Sequence, residues 1–277
     1  LSKVVVFLCL IWSVSQADQI IPVTGEVTKL IIDQDSEIYL KGSMLSGDIQ
    51  VHSIEVDEGA FVRISLPGFH TSNEIGSPEL PEIHKLIEIP QNAMPYIEVV
   101  NEETEYYNLS NFGIEDPIFP HQPSLSKSQD PDDVLFEWNE AMYETDEYIA
   151  SDLISIDIKG QLRSLRLANL VIRPVAYNPI SGMIKVTTNV EFIIHFDGAD
   201  LVETENIKQQ YYSPYFESVY SQVANYDQPD LRDDLVSYPV TYVIITNPIF
   251  ENTLSEFIDW KMHKGFTVVM GNTSEIG

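Results

Sequence analysis

Apolar and polar positions along this 277-residue chain change rhythm twice. In the first two thirds, short runs alternate with a period of two and are cut by turn residues, as half-buried strands require. Residues 27–32, 49–56, 61–66, 85–89 and 96–100 read as strands, with Val62, Ile64 and Leu66 on one face of the third. Ser46-Gly47-Asp48, Glu58-Gly59 and Pro67-Gly68 punctuate them. Further on, Ile154, Ile156 and Ile158 alternate within 153–159. A long strand over 162–175 then turns at Tyr177-Asn178-Pro179-Ile180-Ser181-Gly182 and returns over 183–196, which predicts a hairpin that anchors the sheet. Its Arg163 and Arg166 are expected to pair with the surrounding carboxylates. Strands at this spacing predict a mostly β sandwich or barrel.

The rhythm is lost over residues 112–133, where Pro117, Pro120, Pro123 and Pro131 stand among polar residues. A long stretch without periodicity is expected to be a functional or disordered loop. Asp130-Pro131-Asp132-Asp133 offers oxygen ligands, but the glycine and distal glutamate of a calcium loop are missing, so the metal content is left unknown. Beyond residue 198, Tyr215, Phe216, Val219, Tyr220 and Val223 follow Pro214 at helical spacing, and an acidic tail follows over 225–238.

The second change comes near residue 240. Residues 240–246 form a continuous apolar run, expected as a strand buried on both faces of a parallel sheet. Asn247 and Pro248 suit a helix start, and Phe250, Leu254, Phe257, Ile258 and Met262 make one stripe. Lys261, His263, Lys264 and Gly265 suit its end, and 266–270 reads as a second strand. Strand, helix and strand predict a right-handed parallel crossover. Thr246-Asn247-Pro248 has no glycine-rich phosphate cradle, so no nucleotide site is indicated. Ordering this short unit costs more than its own burial returns, so the domain it opens is expected to continue past Gly277.

Charge narrows the partners. Against 43 Asp and Glu stand 15 Lys and Arg, a formal net charge of −28. That argues against nucleic acid and anionic membranes. At the front, Lys3 precedes the apolar run 4–14, and Ser15-Gln16-Ala17 supplies small residues. This predicts a secretory signal peptide cut between Ala17 and Asp18, and the run is too short to span a membrane. The single cysteine, Cys9, lies inside it, so the mature chain has no disulfide and no cysteine nucleophile.

Three blocks together resemble the gingipain (C25) cysteine peptidase family. They are Gly76-Ser77-Pro78-Glu79-Leu80-Pro81 leading into Lys85-Leu86-Ile87-Glu88-Ile89-Pro90, the stretch 160–196 with Arg173-Pro174-Val175, and the stretch 242–277 with Asp259-Trp260-Lys261. Residues 212–220 fit the family connector. The resemblance implies a signal peptide (1–17), a β-sandwich prodomain (18–198), a connector with an amphipathic helix (199–238), and the first βαβ piece of a caspase-like α/β peptidase domain (239–277).

It also implies a secreted, extracellular or cell-surface zymogen whose prodomain covers its own catalytic domain until proteolytic removal. The substrates would be proteins or peptides. The family's catalytic His-Gly and Cys motifs are not in this chain, and His263 is followed by Lys264. No catalytic residue and no cofactor is therefore assigned here, although calcium in the continuing catalytic domain fits the resemblance. Family prodomains of enzymes cutting after basic residues can place a basic side chain in the specificity pocket. Lys127, the basic residue of the proline-rich stretch, is the inhibitory candidate. Arg232, with Asp233 after it, is the candidate processing site. A competing expectation is a secreted, non-catalytic β-sandwich that binds carbohydrate or a surface partner.

Overall fold

The computed structural model describes residues 19–127, 129, 134–149, 152–227 and 241–276. The chain divides into two compact units, one ending at Asp227 and one beginning at Gln228. Leu1–Gly277 thus contains a mostly β unit followed by a small α/β unit.

The first unit contains β1 (Gln19–Ile21), β2 (Lys29–Ser36), β3 (Tyr39–Leu45), β4 (Ile49–Val56), β5 (Gly59–Ser65), β6 (His70–Thr71), β7 (Pro81–Glu88), β8 (Met94–Asn108), α1 (Glu140–Tyr143), β9 (Ile154–Leu162), β10 (Leu165–Ile172), β11 (Val175–Asn178), β12 (Met183–Asp197), α2 (Leu201–Tyr211) and α3 (Glu217–Tyr220). One sheet runs β11-β12-β3-β2, with β8 on the other side of β12. Two smaller sheets, β1-β4-β5 and β6-β7-β10-β9, complete the unit.

The inward residues of β12 serve two cores. Ile184 and Val186 join Ile21, Ile49, Ile64 and Ile118 in the first. Val190, Phe192, Ile194 and Phe196 join Leu40, Ile83, Ile87 and Leu170 in the second. Even-numbered side chains fall on one face of a strand, so alternation alone delivers both sets inward. Strand β3 evades the sequence reading because Gly42 interrupts its apolar face. The ring of Phe192 occupies that space: a Cβ on Gly42 would lie 2.1 Å from its Cζ.

The predicted 162–175 strand is two strands in two sheets. β10 pairs with β9 and β7, whereas β11 pairs with β12. The change of sheet falls at Arg173-Pro174, where proline has no N–H for a ladder. The hairpin therefore holds only between β11 and β12. Arg163 is not on the strand but in the β9–β10 turn, at φ 53°.

The two arginines also depart from the expected carboxylate pairing. Arg163 lies over the Phe216 ring at 4.5 Å. Arg166 donates through Nη1 to the carbonyls of Pro90 and Ala93, at 2.8 and 2.9 Å. Arg173 does meet a carboxylate, Glu82, at 2.7 Å.

α2 has no apolar stripe and buries no residue. It is held by its ends and its polar side chains. The Asp200 carboxylate accepts from the Glu203 N–H, and Lys208 pairs with Glu88 at 2.7 Å. After it, Phe216, Tyr220 and Val223 pack on Leu165 and Leu167, while Tyr215 and Val219 of the expected stripe stay exposed. The Asn225 amide closes on β7, accepting from Glu88 N–H at 2.7 Å and donating to Glu88 O at 3.0 Å.

In the second unit, β13 (Thr241–Thr246) and β14 (Thr267–Asn272) pair in parallel around a 3-10 stretch, Pro248–Leu254, and α4 (Ser255–His263). Asn247 caps the helical segment by accepting from Ile249 N–H. Contrary to the expectation of a doubly buried strand, Val243 and Ile245 are exposed, as are Phe250 and Met262 of the stripe. A two-stranded sheet with one helix covers only part of its apolar surface.

Asp48 ties the N-terminal strand down. Its carboxylate accepts from the N–H groups of Val23, Thr24 and Gly25 at 2.8, 3.2 and 2.9 Å. The bonds from Val23 and Gly25 hold its pKa below the usual carboxylate value. A depressed folded pKa gives stability that is present at neutral pH and lost as the pH falls through that titration. Asp48→Ala is expected to cost roughly 1–2 kcal/mol at pH 7. Thermal melts of variant and wild type should converge as the pH is lowered through the carboxylate range.

Candidate functional site

The block 76–81 forms a platform at one end of the sandwich. Pro81 opens β7, and Ser77, Glu79 and Leu80 are buried. Residues 114–121, expected to lack structure, run along this platform. Val62 N–H donates to Pro117 O and Phe119 N–H to Val62 O, at 2.9 and 2.8 Å. Glu79 N–H donates to Phe119 O at 2.9 Å, and His121 N–H to Ser77 O at 2.8 Å. The prolines suit this role because the segment borders the sheet and needs few donors. Ile114, Ile118 and Phe119 are buried along it.

Glu79 is the polar centre. One carboxylate oxygen meets Arg63 Nε at 2.6 Å and the other meets His121 Nδ1 at 3.0 Å. Arg63 also lies over the Phe119 ring at 5.1 Å. The carboxylate side chain is 9% exposed, and each of its oxygens has a partner.

The returning stretch, 134–143, is fastened by aromatic contacts. Trp138 and Phe136 lie 5.1 and 5.7 Å from Phe61, and Trp138 lies 5.0 Å from Tyr143. The Tyr143 hydroxyl donates to Ile118 O at 2.6 Å. Burial raises its pKa, which keeps it a donor. Gly76 joins the two paths: its N–H donates to His121 O at 2.8 Å, and its carbonyl accepts from Asn139 N–H at 3.0 Å. It sits at φ 78°, and an added Cβ would lie 3.1 Å from Asn139 N.

Between these fastened paths stands Lys127. It is exposed, in a turn where Gln129 N–H donates to Ser126 O at 3.1 Å. Ala17, Asp18, Arg232, Asp233 and the Asp130–Asp133 cluster lie outside the described residues. Among the described residues no group of three His, Cys, Asp or Glu could hold a metal, and no helix is long and apolar enough to cross a membrane. His263 ends α4 with Nδ1 2.6 Å from Asp259 O. Sequence reasoning missed Glu79 as an organiser and the 134–143 path. The Phe136-x-Trp138 pair and the Asn139 cap before α1 were the available signals.

Residues 29–228 match the family model Propeptide_C25, and the chain belongs to that family. Lys-gingipain HG66 of Porphyromonas gingivalis is 33% identical over 255 residues, which cover 92% of this chain and 15% of that protein. Gingipain R2 from the same organism is 21% identical over 194 residues, 70% of this chain and 25% of that protein. This chain thus spans only a small part of the curated relatives it matches.

Among solved structures, a chain from work on the zymogenic latency of gingipain K from P. gingivalis aligns with a TM-score of 0.62 at 32% identity. The alignment covers 66% of this chain and all of that one. A complex of the pro- and mature domains of RgpB from P. gingivalis aligns at 0.57 and 17% identity over 72% of this chain and 98% of that one. It supports the fold.

Two substitutions test the platform. Glu79→Ala leaves Arg63 and His121 unpaired, and is expected to cost about 1–3 kcal/mol. Gly76→Ala strains a left-handed residue by about 1–2 kcal/mol and crowds Asn139. For both, differential scanning calorimetry should show a melting temperature several degrees lower.

Proposed function

We propose that this chain is the N-terminal part of a secreted, gingipain-like cysteine endopeptidase zymogen. Its β-sandwich inhibits its own catalytic domain until proteolytic removal, and Lys127 enters the specificity pocket. The first support is membership of the C25 propeptide family. The second is a likeness to a gingipain K chain studied for zymogenic latency.

The observation that carries Lys127 is its placement relative to every other basic residue described in the first unit. Lys29, Lys41, Arg63, Lys85, Lys159, Arg166 and Lys185 are strand residues, and Lys208 is on α2. Arg163 lies in the tight β9–β10 turn. Arg173 is fixed by its N–H on Leu153 O and its guanidinium on Glu82, with Pro174 after it. A peptidase cleft takes its ligand as a segment of free backbone, and sheet-bound backbone is already paired. Among the described basic residues of 19–227, Lys127 alone lies outside the strands and helices, outside the tight β9–β10 turn and away from the Glu82 pairing that fixes Arg173.

The formal net charge of −28 suits a secreted protein whose partner surface is basic, and gives no footing to nucleic acid. The leader over 1–17, cut between Ala17 and Asp18, supplies export. If the enzyme cuts after Arg, Arg232 supplies the processing bond before Asp233. The small α/β unit opens the peptidase domain, whose catalytic His and Cys and any calcium would lie further along the protein.

In the full-length precursor, Lys127→Ala is expected to weaken inhibition about 10- to 100-fold, read as premature activity on a Lys- or Arg-containing peptide. Unchanged latency would remove Lys127 from this role. Limited trypsin digestion should cut residues 19–227 first after Lys127, as read by mass spectrometry. The N-terminus of the mature enzyme should be Asp233.

A further inference from the structure

The Lys127 loop has a second fastening that the family blocks do not contain. The side-chain amide of Gln122 reaches from the outgoing path to the backbone of Glu137 on the returning one. Its Oε1 accepts from Glu137 N–H at 2.9 Å, and its Nε2 donates to Glu137 O at 2.8 Å. The same Nε2 donates to Pro120 O at 2.9 Å. A primary amide facing a peptide group in this way reproduces both hydrogen bonds of a β-bridge. It closes the loop one step nearer Lys127 than the Gly76 bridge does. The Glu137 side chain takes no part in it.

We propose that Gln122 is a positioning residue that slows cleavage of the Lys127 loop while presenting Lys127. The proposal rests on the reading of this loop as the inhibitory element. A peptidase cutting after Lys127 must draw the chain on both sides of the bond into an extended form. Water then adds across the peptide bond after Lys127, leaving a carboxylate on Lys127 and an amine on Ser128, and the new ends must part. A loop pinned between Gln122 and Glu137 resists the first step and opposes the last. Closing the ends in advance also removes ordering cost from docking, so the same clasp favours binding while it disfavours cleavage. The fold does not need it. The paths remain held by Gly76, by the Phe61–Trp138 and Trp138–Tyr143 contacts, and by the Tyr143 hydroxyl on Ile118.

The test uses the full chain with trypsin as the probe. The rate of cleavage after Lys127 is followed by mass spectrometry, beside the melting temperature. Gln122→Met keeps the length and bulk of the side chain but has no amide. It should be cut about tenfold faster than wild type, with an unchanged melting temperature. Glu137→Ala keeps the backbone that the clasp uses and should be cut at the wild-type rate. Gln122→Met cut at the wild-type rate would overturn the proposal, as would equal acceleration by Glu137→Ala. Faster cutting with a matching fall in melting temperature, and new cuts at strand residues such as Lys159 or Lys185, would make Gln122 a folding residue and also overturn it. Loss of the inhibitory reading would show separately, as unchanged latency of Lys127→Ala.

Discussion

The inner face of β12 is the constraint on which the first unit depends. One strand supplies Ile184 and Val186 to one core and Val190, Phe192, Ile194 and Phe196 to the other. A slip of one residue would turn every one of these outward and expose both cores at once. Gly42 shows how tightly that register is set. The residue opposite Phe192 must lack a side chain, because the ring stands where a Cβ would be. Changes here are expected to propagate through both sheets that face β12, since a close-packed interior transmits strain.

The same strand carries a long edge. β8 pairs with β12 over its whole length and is exposed along most of it. Such an edge invites pairing with another chain unless it is blunted. Glu98, Glu102, Glu103 and Glu105 lie along it, and two register shifts break its ladder. The acidic composition therefore has a structural use. Like charges along such an edge oppose its pairing with a second copy. The open edge of β7 is treated differently, by the Asn225 amide, which stands in for a missing strand.

The paths that lead to and from Lys127 are held in place, and Lys127 itself is exposed. The fixing is done by backbone groups, aromatic rings and one buried carboxylate with its two side-chain partners. Glu79 draws Arg63 and His121 together, Gly76 bridges the two paths through its backbone, and the rings of Phe61, Phe136, Trp138 and Tyr143 fill the space beneath. Aromatic pairs of this kind add about 0.5–1.5 kcal/mol each beyond their buried area. Glu88 makes the opposite electrostatic case to Asp48. Burial raises its pKa despite Lys208 beside it. Its contribution improves as the pH falls through its folded titration, while that of Asp48 declines.

What the residues alone determined was the kind of structure. Period-two runs gave the mostly β unit, and the apolar run, the Asn247-Pro248 start and the Gly265 end gave the α/β unit with its parallel crossover. Lys127 became a candidate only through the family resemblance, as the basic residue of the proline-rich stretch. Only the tertiary structure decided that 162–175 is two strands, that 114–121 lines the platform, and that Arg163 and Arg166 meet a ring and two carbonyls. It also showed that Gln122 reaches Glu137. Alternation is a local property, written in neighbouring side chains. Which sheet a strand joins, and which backbone group a distant amide finds, depend on contacts between residues far apart in the chain, and no local pattern encodes those.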